Sequence, residues 1–224
     1  KMRDYLNTVY SRDIRPYTEY PEKLVHYLFN TFEMKKGMKI LEPGCGYGDH
    51  LRLFKDLGLE AYGLDLSPES PLLARDLDIS ICNVEEEKLP YSDNYFDVVY
   101  SKSFLEHLQN PGEFIKEAYR VLKPNGLLLS MTPDWESTHQ KFYDDYTHVS
   151  PFTIVSLENI QLAAGYNDVK VYKFRQLPMV WKYPVLNNFC TMISPFIPVR
   201  TKVPFLRWSR ELMLVGSGRK PGDV

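Results

Sequence analysis

Lys39-Ile40-Leu41-Glu42-Pro43-Gly44-Cys45-Gly46-Tyr47-Gly48 reads as a buried strand that ends in an acid and runs into a glycine-rich turn. Glycine serves where the backbone needs positive φ or where a ligand must approach the main chain. Here it recurs at every second position, Gly44, Gly46 and Gly48. The dinucleotide fingerprint G-x-G-x-x-G would need a third glycine at position 49, which is Asp49. Glu42 is also electrically wrong for a pyrophosphate, which a helix N-terminus alone would attract. A nicotinamide dinucleotide is disfavoured on both counts. A nucleoside ligand carrying positive charge suits the pattern.

The next apolar segment, Glu60-Ala61-Tyr62-Gly63-Leu64-Asp65, ends in a second acid. Asp65 lies 17 residues beyond Gly48, near the roughly 20-residue spacing at which an acid holds ribose hydroxyls in doubly wound folds. Ser67-Pro68 then reads as an N-cap with proline at the first helical position, and Ser70-Pro71 offers the same signal three residues later.

Working outward, strand and helix patterns alternate. Strands are expected near 38–42, 60–65, 79–83, 96–101 and 127–132. Helices are expected near 22–32, 49–57, 71–77, 111–122 and 153–164. Leu24, Val25, Leu28, Phe29 and Phe32 form the apolar stripe of the first helix. Asn110-Pro111-Gly112-Glu113 marks a helix start, and Lys123-Pro124-Asn125-Gly126 a stop. The last of these helices is capped by Ser150 or Thr153 and ends at Gly165. Such alternation implies an α/β fold with a largely parallel sheet and right-handed crossovers. Two more strands are expected near 169–174 and 212–215. Between them lies a Pro- and aromatic-rich insert, 176–210, with no clear element of its own. An insert of this length is usually functional or disordered, and its hydrophobicity argues against disorder.

The ordered series of motifs resembles the class I S-adenosylmethionine-dependent methyltransferases over roughly residues 22–175. Residues 42–48 match the family's first motif and Gly63-Leu64-Asp65-Leu66-Ser67 its second. Cys82-Asn83-Val84 sits where the family contacts adenine. Phe96-Asp97-Val98-Val99-Tyr100-Ser101 matches the fourth strand, and Glu106-His107-Leu108 with residues 120–126 the approach to the fifth. Asn125-Gly126 stands where Gly-Gly is usual, at little cost because Asn tolerates left-handed backbone. The resemblance implies a doubly wound, Rossmann-like, seven-stranded sheet with an antiparallel C-terminal end. It also implies S-adenosyl-L-methionine as cofactor, held by Glu42, Gly44, Gly46, Gly48, Asp65, Leu66, Asn83, Val84 and, through its backbone atoms, Ser101. The whole chain reads as one domain: an N-terminal extension (1–21), the cofactor core (22–175), the insert as lid or interface (176–210) and a last strand (211–219).

Methyl transfer to a hydroxyl needs alignment and proton removal, and histidine is the natural base. His148 is the expected base. It lies in Asp144-Asp145-Tyr146-Thr147-His148 after the fifth strand, where α/β active-site loops gather, with Asp144 or Asp145 orienting it. The alternative is a helix-capping loop that shields the cofactor. His107 is a second candidate, although the Glu106-His107 pair looks shared by methyltransferases with very different acceptors and so reads more readily as structural. His50 caps its helix or lines the cofactor. A metal-assisted route through Glu106, His107, Asp134 and Asp144 or Asp145 lacks ligand spacing, so no metal is expected.

Residues 145–153 resemble, more loosely, bacterial methyltransferases of glycan and surface-polysaccharide synthesis. O-methylation of a sugar hydroxyl on a glycan intermediate is therefore the expected reaction. A lipid or quinone-type hydroxyl is the rival acceptor, and a non-catalytic S-adenosylmethionine-binding module the alternative class. A net charge of −2 without a dense basic run gives no reason to expect nucleic acid. Cys45, Cys82 and Cys190 show no metal-like pairing and suggest reduced thiols in a cytoplasmic setting. No signal peptide is visible. The longest uncharged run, 183–199, contains three prolines and two asparagines and is too short to span a bilayer. Aromatic and basic residues mix in the insert, namely Trp181, Lys182, Arg200, Arg207, Trp208 and Arg210. That mixture makes a peripheral membrane contact an expectation beside simple packing on the sheet.

Overall fold

A computed structural model of the chain describes Leu6 and residues 17–222. Helix α1 (Tyr20–Thr31) precedes β1 (Lys39–Pro43), α2 (Asp49–Asp56), β2 (Glu60–Asp65), α3 (Ser70–Leu73) and β3 (Asp78–Ile81). Then follow β4 (Phe96–Lys102), α4 (Pro111–Val121), β5 (Leu122–Pro133), α5 (Trp135–Thr138), α6 (Ile154–Ala163) and β6 (Asn167–Arg175). Helices α7 (Pro178–Lys182), α8 (Val185–Ile193) and α9 (Pro204–Arg210) lead into β7 (Leu212–Arg219).

The seven strands lie in the order β3-β2-β1-β4-β5-β7-β6. The first five in that order pair in parallel, and β7 runs antiparallel between β5 and β6. This is the expected doubly wound, Rossmann-like α/β sheet. The chain winds outward from β1 through β3, then crosses back to β4 on the other side. The carboxyl ends of β1 and β4 therefore flank the crevice where such sheets bind ligands.

Successive strand residues point to opposite faces, and that alternation separates two cores. Ile40, Val98, Tyr100, Leu127 and Leu129 meet Leu24, Val25 and Leu28 of α1 and Phe54 of α2. Leu41, Val99 and Leu128 meet Phe114, Ile115 and Ala118 of α4 and Leu157 of α6. Strands apolar on both sides are what a sheet covered by helices on both faces requires.

The structure corrects several boundaries. Strand β3 stops at Ile81, because Asn83 turns the chain and its Oδ1 accepts the Glu85 N–H at 3.2 Å. Helix α3 is only Ser70–Leu73; Ser67 instead makes a local turn, its Oγ accepting from Glu69 N–H at 3.1 Å, and Pro71 lies in the first helical turn. Strand β5 begins at Leu122, opposite Phe96, and a register shift absorbs the 123–126 turn. Asn125 there has φ 64°, the left-handed backbone expected of it. Thr153 caps α6, in a reciprocal box with Ser156.

The main correction concerns the insert, which forms α7, α8 and α9. Pro178 and Pro204 occupy first-turn positions and Pro184 the N-cap. Proline suits a helix start because its missing N–H would have no partner there anyway. The prolines therefore begin these helices rather than break them. Arg175, at the end of β6, anchors the insert. Its guanidinium donates to Asn187 Oδ1 at 2.9 Å, to Thr191 Oγ1 at 3.0 Å and to the Ser209 carbonyl.

Candidate active site

The glycine turn forms the floor of a cavity of about 530 Å³ beside the carboxyl ends of β1 and β4, within the roughly 300–1,000 Å³ usual for ligand pockets. Gly44 has φ 67°, and a Cβ there would stand 2.5 Å from Phe104 Cδ2, so only glycine lets the turn pass under the Phe104 ring. Glu42, Gly44 and Gly46 line the cavity; Gly48 does not. Gly48 instead packs outward, where a Cβ would meet Leu77 Cδ1 at 2.4 Å. It caps α2 with left-handed backbone.

Glu42 is 4% exposed. Its Oε1 lies 3.4 Å from His50 Nδ1, and its Oε2 has no hydrogen-bond partner among the described residues. Burial raises its carboxyl above the ordinary range, against the lowering influence of His50. A buried carboxylate oxygen left unsatisfied at a cavity wall is costly unless a ligand completes it. A cationic group does so best, and the donor set therefore fits S-adenosylmethionine. Asp65 is held rigidly at the end of β2. Gly46 N–H donates to its Oδ2 at 2.7 Å and Ser67 N–H to its Oδ1 at 2.8 Å. A carboxylate offers about four acceptor positions, so a group oriented in this way suits paired ribose hydroxyls. Leu66, Asn83 and Val84 line the same end. Leu66 is 60% exposed, an apolar surface for a flat base.

The Ser101 side chain does not line the cavity. It is buried in β4, and the wall there is made by Lys102, Ser103 and Phe104. The period of two along a strand turns Ser101 inward.

The histidines are arranged differently from the expectation. His107 lines the cavity, together with Thr147; His148 and Asp145 do not. His107 Nδ1 lies 2.9 Å from Thr147 Oγ1 and 3.3 Å from the Thr147 carbonyl. Thr147 Oγ1 donates its proton to Asp145 Oδ1 at 2.7 Å. The hydroxyl can therefore only accept from His107, so Nδ1 carries the proton and the neutral ring keeps its lone pair on Nε2. Burial raises the Asp145 carboxyl, but the bonds from Thr147 and the neighbouring His148 and His107 outweigh it and leave it below the ordinary range.

His148 donates from Nδ1 to the Phe142 carbonyl at 2.7 Å, and its Nε2 is 3.9 Å from Asp145 Oδ2. Its ring packs against His107 at 4.8 Å between centroids. Asp144 does not orient it; that carboxylate forms an exposed pair with Arg200. The Glu106 carbonyl accepts from Val149 and Ser150 N–H and so ties the 145–150 loop to the end of β4. Asp134 is turned toward Lys173 at 3.3 Å. The carboxylate set considered for a metal is therefore not assembled. Glu106, His107 and His148 do approach one another within 4.8 Å. Metal–ligand bonds of about 2 Å would need tetrahedral ligand atoms at roughly 3.3 Å.

The sequence reading missed the contribution of the N-terminal stretch. Tyr17, Thr18, Tyr20 and Pro21 line the cavity, as does Leu6, whose carbonyl accepts from Tyr47 Oη at 3.2 Å. Tyr17 and Tyr20, just before and at the start of α1, were the available signal. Tyr20 donates from its hydroxyl to Gln176 Oε1 at 3.1 Å and packs on Trp181, joining this wall to the insert.

The chain is 34% identical to phosphoethanolamine N-methyltransferase 3 of Arabidopsis thaliana over 104 residues, 43% of this chain and 21% of that protein. It is 34% identical to the ubiquinone/menaquinone biosynthesis C-methyltransferase UbiE of Neisseria meningitidis over 113 residues, 46% of each. It thus spans less than half the length of these curated relatives. A phosphoethanolamine N-methyltransferase 2 of Haemonchus contortus, solved with S-adenosyl-L-methionine, superimposes with a TM-score of 0.72 at 19% identity, covering 98% of this chain and 60% of that one. A methyltransferase of Archaeoglobus fulgidus gives 0.71 at 21% identity, covering 97% and 100%. Both likenesses are of fold. The family model described as a methyltransferase domain matches residues 11–171. With that match and the site built at the β1–β4 crevice, the chain belongs to the methyltransferase domain family, the class I S-adenosylmethionine-dependent methyltransferases.

Proposed function

We propose that this chain methylates a hydroxyl of a sugar or glycan intermediate, with His107 as the general base. The observation that carries the reading is the hydrogen-bonded series His107–Thr147–Asp145 at the cavity wall. Bound S-adenosylmethionine would supply an electrophilic methyl on a sulfonium, with S-adenosylhomocysteine as the leaving group. Glu42 holds the cationic end, Asp65 the ribose, and Leu66, Asn83 and Val84 the adenine. His107 Nε2 takes the proton of the acceptor hydroxyl as that oxygen attacks. Asp145, acting through Thr147, fixes the imidazole tautomer and stabilises the imidazolium, the role an orienting carboxylate plays behind a histidine base. Tyr17 and Tyr20 line the cavity, and aromatic walls suit a sugar ring.

The sugar assignment draws on the loose resemblance of residues 145–153 to glycan methyltransferases. A second reading, a quinone-type acceptor, draws on the likeness to the C-methyltransferase UbiE. The two differ in the bond formed. Methyl-labelled S-adenosylmethionine is incubated with the protein and either nucleotide-sugar or quinol acceptors, and the product is examined by NMR. A methyl ether on a sugar, lost in His107→Ala, is the expected result. A C-methylated ring, or full turnover in His107→Ala, overturns the proposal.

A further inference from the structure

Helix α8 presents two unlike faces. Leu186 and Cys190 turn inward, while Asn187 and Thr191 hold Arg175. Val185, Phe189 and Met192, spaced as one helical face, turn outward, at 81%, 49% and 64% exposure. Phe196 in the following turn is 86% exposed, and Met179 and Tyr183 of the α7 region stand out as well. Apolar side chains grouped this way mark an interaction surface. The charge is as uneven. Residues 176–210 contain five Lys or Arg and no Asp or Glu, in a chain of net charge −2. Arg200 and Arg207 are answered from outside the segment by Asp144 and Glu211. Lys182 and Lys202 remain on the exposed surface.

We infer that the α7–α9 insert docks on an anionic lipid bilayer, with the Val185/Phe189/Met192 face and Phe196 entering the interface. An apolar face flanked by basic residues is what a peripheral anchor needs, because apolar insertion and a basic patch together hold where either alone is marginal. No helix among the described residues is long and apolar enough to cross a membrane, so the contact is made on the surface. Charge decides against a second copy of the chain as occupant. A two-fold interface sets the same patch against itself and would oppose basic residues with no acid of the insert between them. Trp181 packs on Tyr20 of the cavity wall, and Arg200 pairs with Asp144 in the loop after α5. The inference does not rest on the acceptor proposed above.

The full chain is floated with vesicles of pure phosphatidylcholine and of an equimolar phosphatidylcholine–phosphatidylglycerol mixture. It is expected to float with the mixed vesicles and not the neutral ones, and to be released by high salt. Val185→Glu with Phe196→Glu is expected to lower vesicle partitioning by on the order of tenfold or more, with S-adenosylhomocysteine binding retained. Lys182→Glu with Lys202→Glu tests the basic part without touching the apolar face and is expected to act in the same direction. Failure of the wild type to float, equal flotation on neutral vesicles, or unchanged flotation of both variants overturns the inference. So does a dimer in sedimentation that Val185→Glu with Phe196→Glu abolishes while vesicles go unbound; the face would then be a self-interface. Calorimetry with S-adenosylhomocysteine keeps such a failure separate from any failure of the methyltransferase reading.

Discussion

His107 and Asp145 are joined through one hydroxyl: Thr147 Oγ1 lies 2.9 Å from His107 Nδ1 and 2.7 Å from Asp145 Oδ1. The carboxylate cannot donate, so the direction of both hydrogen bonds is set and the histidine tautomer with it. His107→Ala is expected to lower kcat by roughly 10²–10⁴-fold, the usual contribution of a general base. S-adenosylhomocysteine affinity should change little. Thr147→Val should lower kcat less, and His148→Ala least. A larger loss in His148→Ala than in His107→Ala would move the base to His148.

Glu42→Gln keeps the shape of the buried side chain and removes its charge. Hydrogen bonds to charged groups contribute about 1.5–3 kcal/mol, so affinity for S-adenosylmethionine should fall roughly ten- to hundredfold. Calorimetric titration reads this directly. Equal affinity in the variant would mean that the unsatisfied Oε2 meets no cationic group.

Gly44→Ala tests the close approach of the turn to Phe104. The residue has φ 67°, and its Cβ would overlap the ring, so Phe104 must shift. The expected cost exceeds about 1 kcal/mol, several degrees in Tm, with weaker cofactor binding as well. An unchanged Tm and affinity would show that the turn has room to spare.

Glu106 is fully buried, and burial raises its carboxyl to about 7, against the bonds from the backbone and Thr132. The folded state therefore holds this proton more tightly than the unfolded state. Its contribution to stability is present at low pH and is lost as pH rises from about 4.5 toward 7. Glu106→Gln, neutral throughout, should flatten that part of the curve and raise Tm above wild type at alkaline pH. Thermal melts of both proteins across the window check the slope.

Chelation is expected to leave turnover unchanged. The Glu106, His107 and His148 atoms spread over as much as 4.8 Å, and one Glu106 oxygen already accepts from Thr132 Oγ1 at 3.0 Å. Loss of activity on dialysis against a chelator, restored by one divalent metal, would reverse this.

The strand-turn at 39–48 was legible because its chemistry is local. Glycine at positive φ and an acid at a strand tip report themselves without reference to the rest of the chain. The same holds for Asp65, for the left-handed Asn125 and for the succession of strands along the chain, though not for their order in the sheet. Gly48 shares the motif of the cavity glycines, but its packing against Leu77 turns it away from the cavity, and the pleat of β4 does the same for the Ser101 side chain. The insert shows no clear element in sequence, because the helix-start role of Pro178, Pro184 and Pro204 is visible only once α7–α9 are packed.

Residue pattern alone thus decided the fold, the crevice and the acids that line it, since periodicity and turn chemistry act over a few residues. The choice between His107 and His148 was tertiary. It depends on a hydrogen bond across forty residues of chain, from Thr147 to the turn after β4. The joining of Tyr20, the first residue of α1, to the insert depends on a contact across 156 residues. Such contacts follow from how layers close on the sheet, and no local spacing encodes that.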